Sequence, residues 1–334
     1  MTEYDVAIIG SGFVGSSLAK YLTNFYSVKT FDVVEQHPSL ENQDIEHTIL
    51  DITDKDTLFQ KLGNPRTIIH CAIIQIPKIN EDKNLGYNVN VIGTQNICDF
   101  VTSSNSTKGV VLISSWHTYG EQNLSGLLQE NSGYRPDMVE DRARLYALSK
   151  TIQECIIRFF DEKNPEKIFG ALKIGTVLGE GMPKGTAANL FIEKSIAGEK
   201  LTPYKHSMNR PMLYAAIDDI CKASQNFINL ILNEKKSPGN SIDHIMNIAY
   251  PKPISILDLA NIVSETFNEQ TNGKIHPEIS IVDKGILETG NPSDKDSLEL
   301  DISKIKTILK LDSLISPQEK IQELVKQKIS NSNT

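Results

Sequence analysis

The sequence predicts a doubly wound α/β fold: a parallel sheet with helices on both faces, joined to a smaller mixed α/β lobe toward the C-terminus. Three observations predict it. Short apolar runs alternate with helix-like stretches from Val6 to Ile174, the grammar of parallel strands joined by crossover helices. The first run ends in a glycine-rich turn, Gly10-Ser11-Gly12-Phe13-Val14-Gly15, that opens the first helix. After Gly179 the alternation loosens into segments punctuated by Gly181, Pro183 and Gly185.

Bulk properties narrow the class. A chain of 334 residues, 39% hydrophobic and 23% charged, has ordinary globular composition and ample core for one large or two unequal domains. The net charge of -8, with no cluster of five or more Lys/Arg, argues against a nucleic-acid partner. Cys71, Cys98, Cys155 and Cys221 are far apart with no Cys-x-x-Cys, so buried free thiols are expected rather than disulfides or a metal site. No apolar run nears 18 residues and a strand begins almost at once, so a cytoplasmic protein away from membranes is expected.

In chain order, Val6-Ala7-Ile8-Ile9 is the first strand and 16–22 helix-like. Gly-x-Gly-x-x-Gly between a strand and a helix lets the backbone approach a pyrophosphate, whose charge meets the helix N-terminus. Gly10, Gly12, Phe13, Val14 and Gly15 are therefore candidate dinucleotide contacts. The second strand, 28–34, carries Asp32, placed to accept bonds from the adenosine ribose and so to favour NAD. Asp32 could instead be a solvated strand-end residue, with Glu35 as the fallback. Strand three spans 47–50, and Asp51 or Thr53 could cap a helix over 57–62. Strand four spans 67–72 and ends at Ala72. The fifth, 109–113, delivers Ser114 and Ser115 to a strand end, where open α/β sheets bind ligands. Residues 121–141 are polar and read as a loop, possible lid included.

A helix over 142–160 carries Tyr146 and Lys150 on one face, side-chain bases about 5–6 Å apart. An ammonium so placed should lower the phenol toward the range of a general base. The sixth strand is 168–174. Further helix is expected over 186–197, strands over 212–217 and 244–249, a helix opening near 251–258, a capped start at 300–305 and a last helix at Ser316-Pro317.

Taken together, the glycine turn, Ser114-Ser115-Trp116-His117-Thr118-Tyr119-Gly120, Asn90-Val91-Ile92-Gly93-Thr94 and Tyr146-Ala147-Leu148-Ser149-Lys150 resemble the extended short-chain dehydrogenase/reductase family, the group of nucleotide-sugar epimerases and dehydratases. The resemblance spans about residues 4–323. It implies a Rossmann-like NAD-binding domain over 1–175, with returning segments about 211–249. A substrate lobe would comprise 176–210 and 250–334. It implies NAD as cofactor, held also by Asp51 and Ile52 at the adenine, and by Ala72, Asn90, Ser114, Tyr146 and Lys150, with Asn90 bonding backbone to hold the sheet near the site. The catalytic set it implies is Ser115, Tyr146 and Lys150. On the substrate side, Arg210 in Arg-x-x-x-Tyr-x-x-x-Asp-Asp would grip a diphosphate by its guanidinium fork; a salt bridge to Asp218 is the alternative. Asn189 matches a weaker phosphate contact, and Thr176 and Ser115 complete the substrate wall.

The chain departs from the family in three places. Ile9 stands where the usual Gly-x-x-Gly-x-x-Gly has its first glycine. Lys173 stands in the family's Leu-Arg-x-x-Asn, with Thr176 in the asparagine's place. His117 occupies the position where dehydratases and decarboxylases carry a glutamate. It is read as a positioning residue at the substrate, with an acid/base role as the alternative. The expected function is 4-epimerisation of a nucleoside-diphosphate sugar by a homodimer. A one-way reductase or dehydrogenase of a keto-sugar or other small carbonyl stays open, as does a non-catalytic dinucleotide-binding regulator.

Overall fold

The computed structural model describes residues 3–41, 43–233 and 240–332. Seven parallel strands form its main sheet. They are β1 (Glu3–Ile9), β2 (Val28–Asp32), β3 (Glu46–Ile49), β4 (Asn64–His70), β5 (Gly109–Ser115), β6 (Ile168–Ile174) and β7 (Ile245–Ile248). Their order is β7-β6-β5-β4-β1-β2-β3, so the direction of winding reverses between β1 and β4. At that reversal the crossover loops diverge and leave a crevice beyond the strand ends.

The strands are apolar throughout because both faces are covered. Val6 and Ile8 of β1 pack with Leu18 and Leu22 of α1 (Phe13–Leu22). Ala7 and Ile9 enter the opposite core with Phe31, Ile97, Phe100, Ile157 and Phe160. The first core continues into Phe227 and Ile228, and the second is closed by α3 (Thr94–Ser103) and α4 (Arg144–Lys163), which pack together. Between α1 and α3 in sequence, α2 (Lys55–Lys61) is capped by Asp54, whose side chain accepts from Thr57 N, and not by Asp51 or Thr53 as expected. Asp51 instead closes a turn onto Thr53.

Past β6 come α5 (Ala187–Ile196), α6 (Ile217–Asn233), α7 (Ile256–Gln270) and α8 (Pro317–Ser332). Helix α7 starts with a capping box between Ser255 and Asp258, and packs against both α5 and α8. The strand expected over 212–217 does not join the main sheet. Pro211–Met212 pairs with Ile254–Ser255, and Tyr214–Ala216 pairs with Thr176–Leu178. Chain 217–233 then returns as α6, packed on α1. The polar 121–141 stretch is not wholly loop, since Gly126–Leu128 pairs in parallel with Leu298–Leu300. Cys155 is exposed on the outer side of α4, against the expectation of burial for every thiol; all four cysteines are free. Among the described residues no helix is long and apolar enough to cross a membrane, and no group of His, Cys, Asp or Glu is placed to hold a metal ion.

Candidate active site

The cleft above the sheet reversal has a volume of about 1360 Å³ and is lined from both parts of the molecule. Its floor is the glycine turn. Gly10 sits at φ +93°, and a Cβ there would lie 2.4 Å from Ala72 N. A Cβ on Gly15 would come within 1.9 Å of the Gly10 carbonyl oxygen. Gly12 differs: a Cβ there would meet nothing within 4 Å, so its missing side chain leaves open space. Helix α1 starts at Phe13 with no side chain capping its N-terminus, so its first N–H groups stay available to an oxyanion. The turn is a cradle that fits a pyrophosphate.

Asp32 ends β2 at the same crevice. Its Oδ2 accepts from Ser11 N at 2.6 Å and its Oδ1 from Val33 N at 2.7 Å, which fixes the carboxylate in place. β2 stops at Asp32, leaving Glu35 exposed and outside the cleft. Phe13, Val14, Asp51, Ile52 and Ala72 line the cleft with them. Asn90, expected beside the cofactor, is not among the lining residues. It is fully buried, its amide receiving Ile74 N at 2.7 Å and donating to Ile74 O and Ser149 Oγ. It therefore pins the loop after β4 to α4.

Ser115 ends β5, and Tyr146 and Lys150 project from α4 into the same wall. Burial raises the Tyr146 phenol and a hydrogen bond with Ser115 offsets part of that rise. Lys150 does not lower it, contrary to expectation. Its Nζ donates to the Ile113 carbonyl at 2.7 Å, and burial pulls its own pKa down to about 7, with Cys71 and Glu154 drawing it partly back. Ser114 gives its hydroxyl to Glu154 at 2.9 Å. Glu154 also accepts from Tyr134 and lies 3.1 Å from Lys173, both members of that ion pair being wholly buried. This buried cluster fastens α4 to β5 and β6 behind the serine–tyrosine pair.

The substrate side holds a chain of charge that sequence reasoning saw only in part. His117 Nδ1 lies 3.0 Å from Ser115 Oγ, and its Nε2 lies 3.2 Å from Glu121 Oε1, an ion-pair distance outside hydrogen-bond alignment. Burial pushes the Glu121 carboxyl up, but His117, the Arg210 charge and the Glu140 N–H outweigh it and leave it at about 2. Arg210, 6% exposed, directs Nη1 to Glu140 at 2.5 Å and to Glu121 at 3.4 Å, while its buried Nε has no hydrogen-bond partner among the described residues. The alternative pairing with Asp218 is not formed; Asp218 meets Lys320 at 2.6 Å. Thr176 lines the cleft and faces Trp116 Nε1 at 3.4 Å. Asn189, expected at a phosphate, is not among the lining residues, although its neighbours Ala188 and Leu190 are. Lys194, Tyr204 and His206, which sequence reasoning missed, do line it. For Glu121 the available signal was its place four residues after His117.

Comparisons with known proteins give the family and the fold. A model of the NAD dependent epimerase/dehydratase family matches residues 6–249. A protein of Methanocaldococcus jannaschii, provisionally named UDP-glucose 4-epimerase, is 28% identical over 251 residues, covering 72% of this chain and 79% of its own. The dTDP-glucose 4,6-dehydratase of Bacillus anthracis in complex with NAD superposes with TM-score 0.76 at 18% identity, covering 98% of this chain and 97% of its own. The Thermus thermophilus UDP-glucose 4-epimerase complex with NAD gives 0.75 at 19% identity, covering 97% and 98%.

Proposed function

Because the chain belongs to the NAD dependent epimerase/dehydratase family, of the extended short-chain dehydrogenase/reductase type, we propose that it epimerises a nucleoside-diphosphate sugar at C4 through a transient ketone. The chain is an enzyme and its cofactor is NAD. NAD supplies the acceptor and donor of hydride. The glycine turn and the N-terminus of α1 would hold its pyrophosphate, Asp32 the adenosine ribose, and Lys150 the nicotinamide ribose. Tyr146 takes the proton of the reacting hydroxyl and later returns it, and Ser115 holds that oxygen. If the sugar turns before hydride is returned to its other face, the product is the epimer.

One observation carries this reading: the Ser115–Tyr146 pair and Arg210 line the same cleft as the glycine turn, so one bound sugar nucleotide can reach all three. The unpartnered Arg210 Nε offers a donor to a diphosphate oxygen. A second reading, reduction of a keto-sugar or other small carbonyl, draws on the same arginine. Two carboxylates already face its Nη1, and a dianion would have to approach beside them.

Calorimetric titration of UDP into wild type and Arg210→Ala separates the two. A charge-assisted bond is worth about 1.5–3 kcal/mol, so the variant should bind UDP at least about tenfold more weakly while NAD affinity hardly moves. Arg210→Lys should restore little, since a point charge cannot reproduce the fork. Equal UDP affinity in wild type and variant, or no binding to either, favours the carbonyl reductase.

A further inference from the structure

Ser115 leads on to His117 and Glu121, two side chains that the roles of tyrosine, serine and lysine leave unused. We propose that this line is a proton relay, in which His117 is the positioning residue that receives, through Ser115, the proton Tyr146 displaces when it deprotonates substrate. The proposal deepens the reading above and rests on Tyr146 being the group that meets the substrate hydroxyl.

The order of protons follows from charge. Glu121 is held as a carboxylate, 1% exposed, beside His117 Nε2. A carboxylate there favours the tautomer with its proton on Nε2, which leaves Nδ1 as an acceptor. The Ser115 hydroxyl, 3.0 Å away, then donates to Nδ1, and its oxygen, which accepts from His117 N at 3.3 Å, keeps a second lone pair for the Tyr146 phenol on the same cleft wall. The imidazole ring stands edge-on to the Tyr146 ring, 5.6 Å between centroids at 85°. Trp116 covers its other side at 4.8 Å. Arg210 and Glu140 stand behind Glu121. Among the described residues these are the charged and titratable groups that face His117.

The relay answers a difficulty that the site itself poses. Burial raises the Tyr146 phenol and no cation among the described residues offsets it, so a free phenolate is a poor starting base near neutral pH. Proton movement along the line avoids it. As the carbon loses its hydride, the substrate O–H bond breaks and a bond to Tyr146 Oη forms. The phenolic proton passes to Ser115 Oγ, and the serine proton passes to His117 Nδ1. The resulting imidazolium sits between Ser115 Oγ, to which Nδ1–H now points, and the Glu121 carboxylate, and the return of hydride runs every transfer backward. No proton is lost and no further reactant is needed.

The test uses full-length protein with NAD and has two arms. Nitrogen-15 NMR of histidine-labelled protein reads the tautomer with no substrate present. His117 should carry its proton on Nε2 in the wild type, and Glu121→Gln should weaken that preference. A proton on Nδ1 in the wild type overturns the relay whatever the protein turns over. The kinetic arm follows interconversion of UDP-glucose and UDP-galactose against pH. His117→Gln should lower turnover at neutral pH by about a hundredfold, the scale of general-base loss, with NAD binding kept. Its deficit should shrink only as pH rises beyond about 10, the ordinary phenol value that burial raises here, where the phenol begins to ionise unaided. Glu121→Gln, the milder change, should show a smaller deficit with the same shape. A deficit constant across pH marks a merely structural histidine and overturns the proposal. Absence of turnover by the wild type counts against the function above, while the tautomer still decides the order of protons.

Discussion

At the scale of single residues, Asp32 fixes a turn, and we propose that it also sets the choice of cofactor. One oxygen holds Ser11 N at 2.6 Å and the other holds Val33 N at 2.7 Å, so the negative charge cannot swing away from the crevice. A 2′-phosphate on the adenosine ribose would meet it directly. NADP should therefore bind at least about tenfold more weakly than NAD, and Asp32→Ala should narrow the gap. The variant should also lose some NAD affinity, because it releases the Ser11 N–H that shapes the turn. Fluorescence titration of both cofactors checks this, and equal wild-type affinities would remove Asp32 from the selection. Other residues turned out differently from their motif. Asn90 and Asn189 match family positions, yet neither lines the cleft, since a motif gives position along the chain and not the direction of an amide; Asn90 does bond backbone, at Ile74, the holding role its family position implies. Lys150 lies one helical turn from Tyr146 but spends its charge on the Ile113 carbonyl.

At the scale of elements, what was legible was what is locally encoded. β1 and the turn into α1 carry their own signals, because apolar alternation and glycine sterics act over a few residues. The strands β5 and β6 were likewise plain, being continuous apolar runs buried on both faces. The Gly126–Leu128 strand was not legible. It is three residues long and exists only because Leu298–Leu300 lies beside it, far away in sequence. The same cause hid Glu121 and Glu140, whose meaning comes from Arg210 on a distant segment. This pairing also makes a prediction. Leu300 is 2% exposed and Leu128 7%, so Leu300→Ala should cost about 2–5 kcal/mol in denaturant unfolding. Limited proteolysis should then cut within 121–141 faster than in wild type. Unchanged stability and cleavage would show that the short sheet does not hold this segment.

At the scale of the whole molecule, the winding reversal between β1 and β4 places a crevice where the strand ends part, and the candidate site residues converge on it from several elements. β5 brings Ser115, α4 brings Tyr146 and Lys150, and the segment before the Pro211–Met212 strand brings Arg210. The buried Glu154–Lys173 pair behind them keeps α4 in register with β5 and β6. The central claim is that this convergence performs proton and hydride exchange at a sugar carbon, with Tyr146 as the group that moves the proton. The most direct measurement is the interconversion of 4-epimeric nucleoside-diphosphate hexoses by wild type and Tyr146→Phe, with NAD affinity measured on both. The account predicts turnover by the wild type, a loss of about a hundredfold or more in the variant, and NAD binding nearly unchanged. A variant retaining more than about a third of wild-type turnover, against that expected loss, would contradict it.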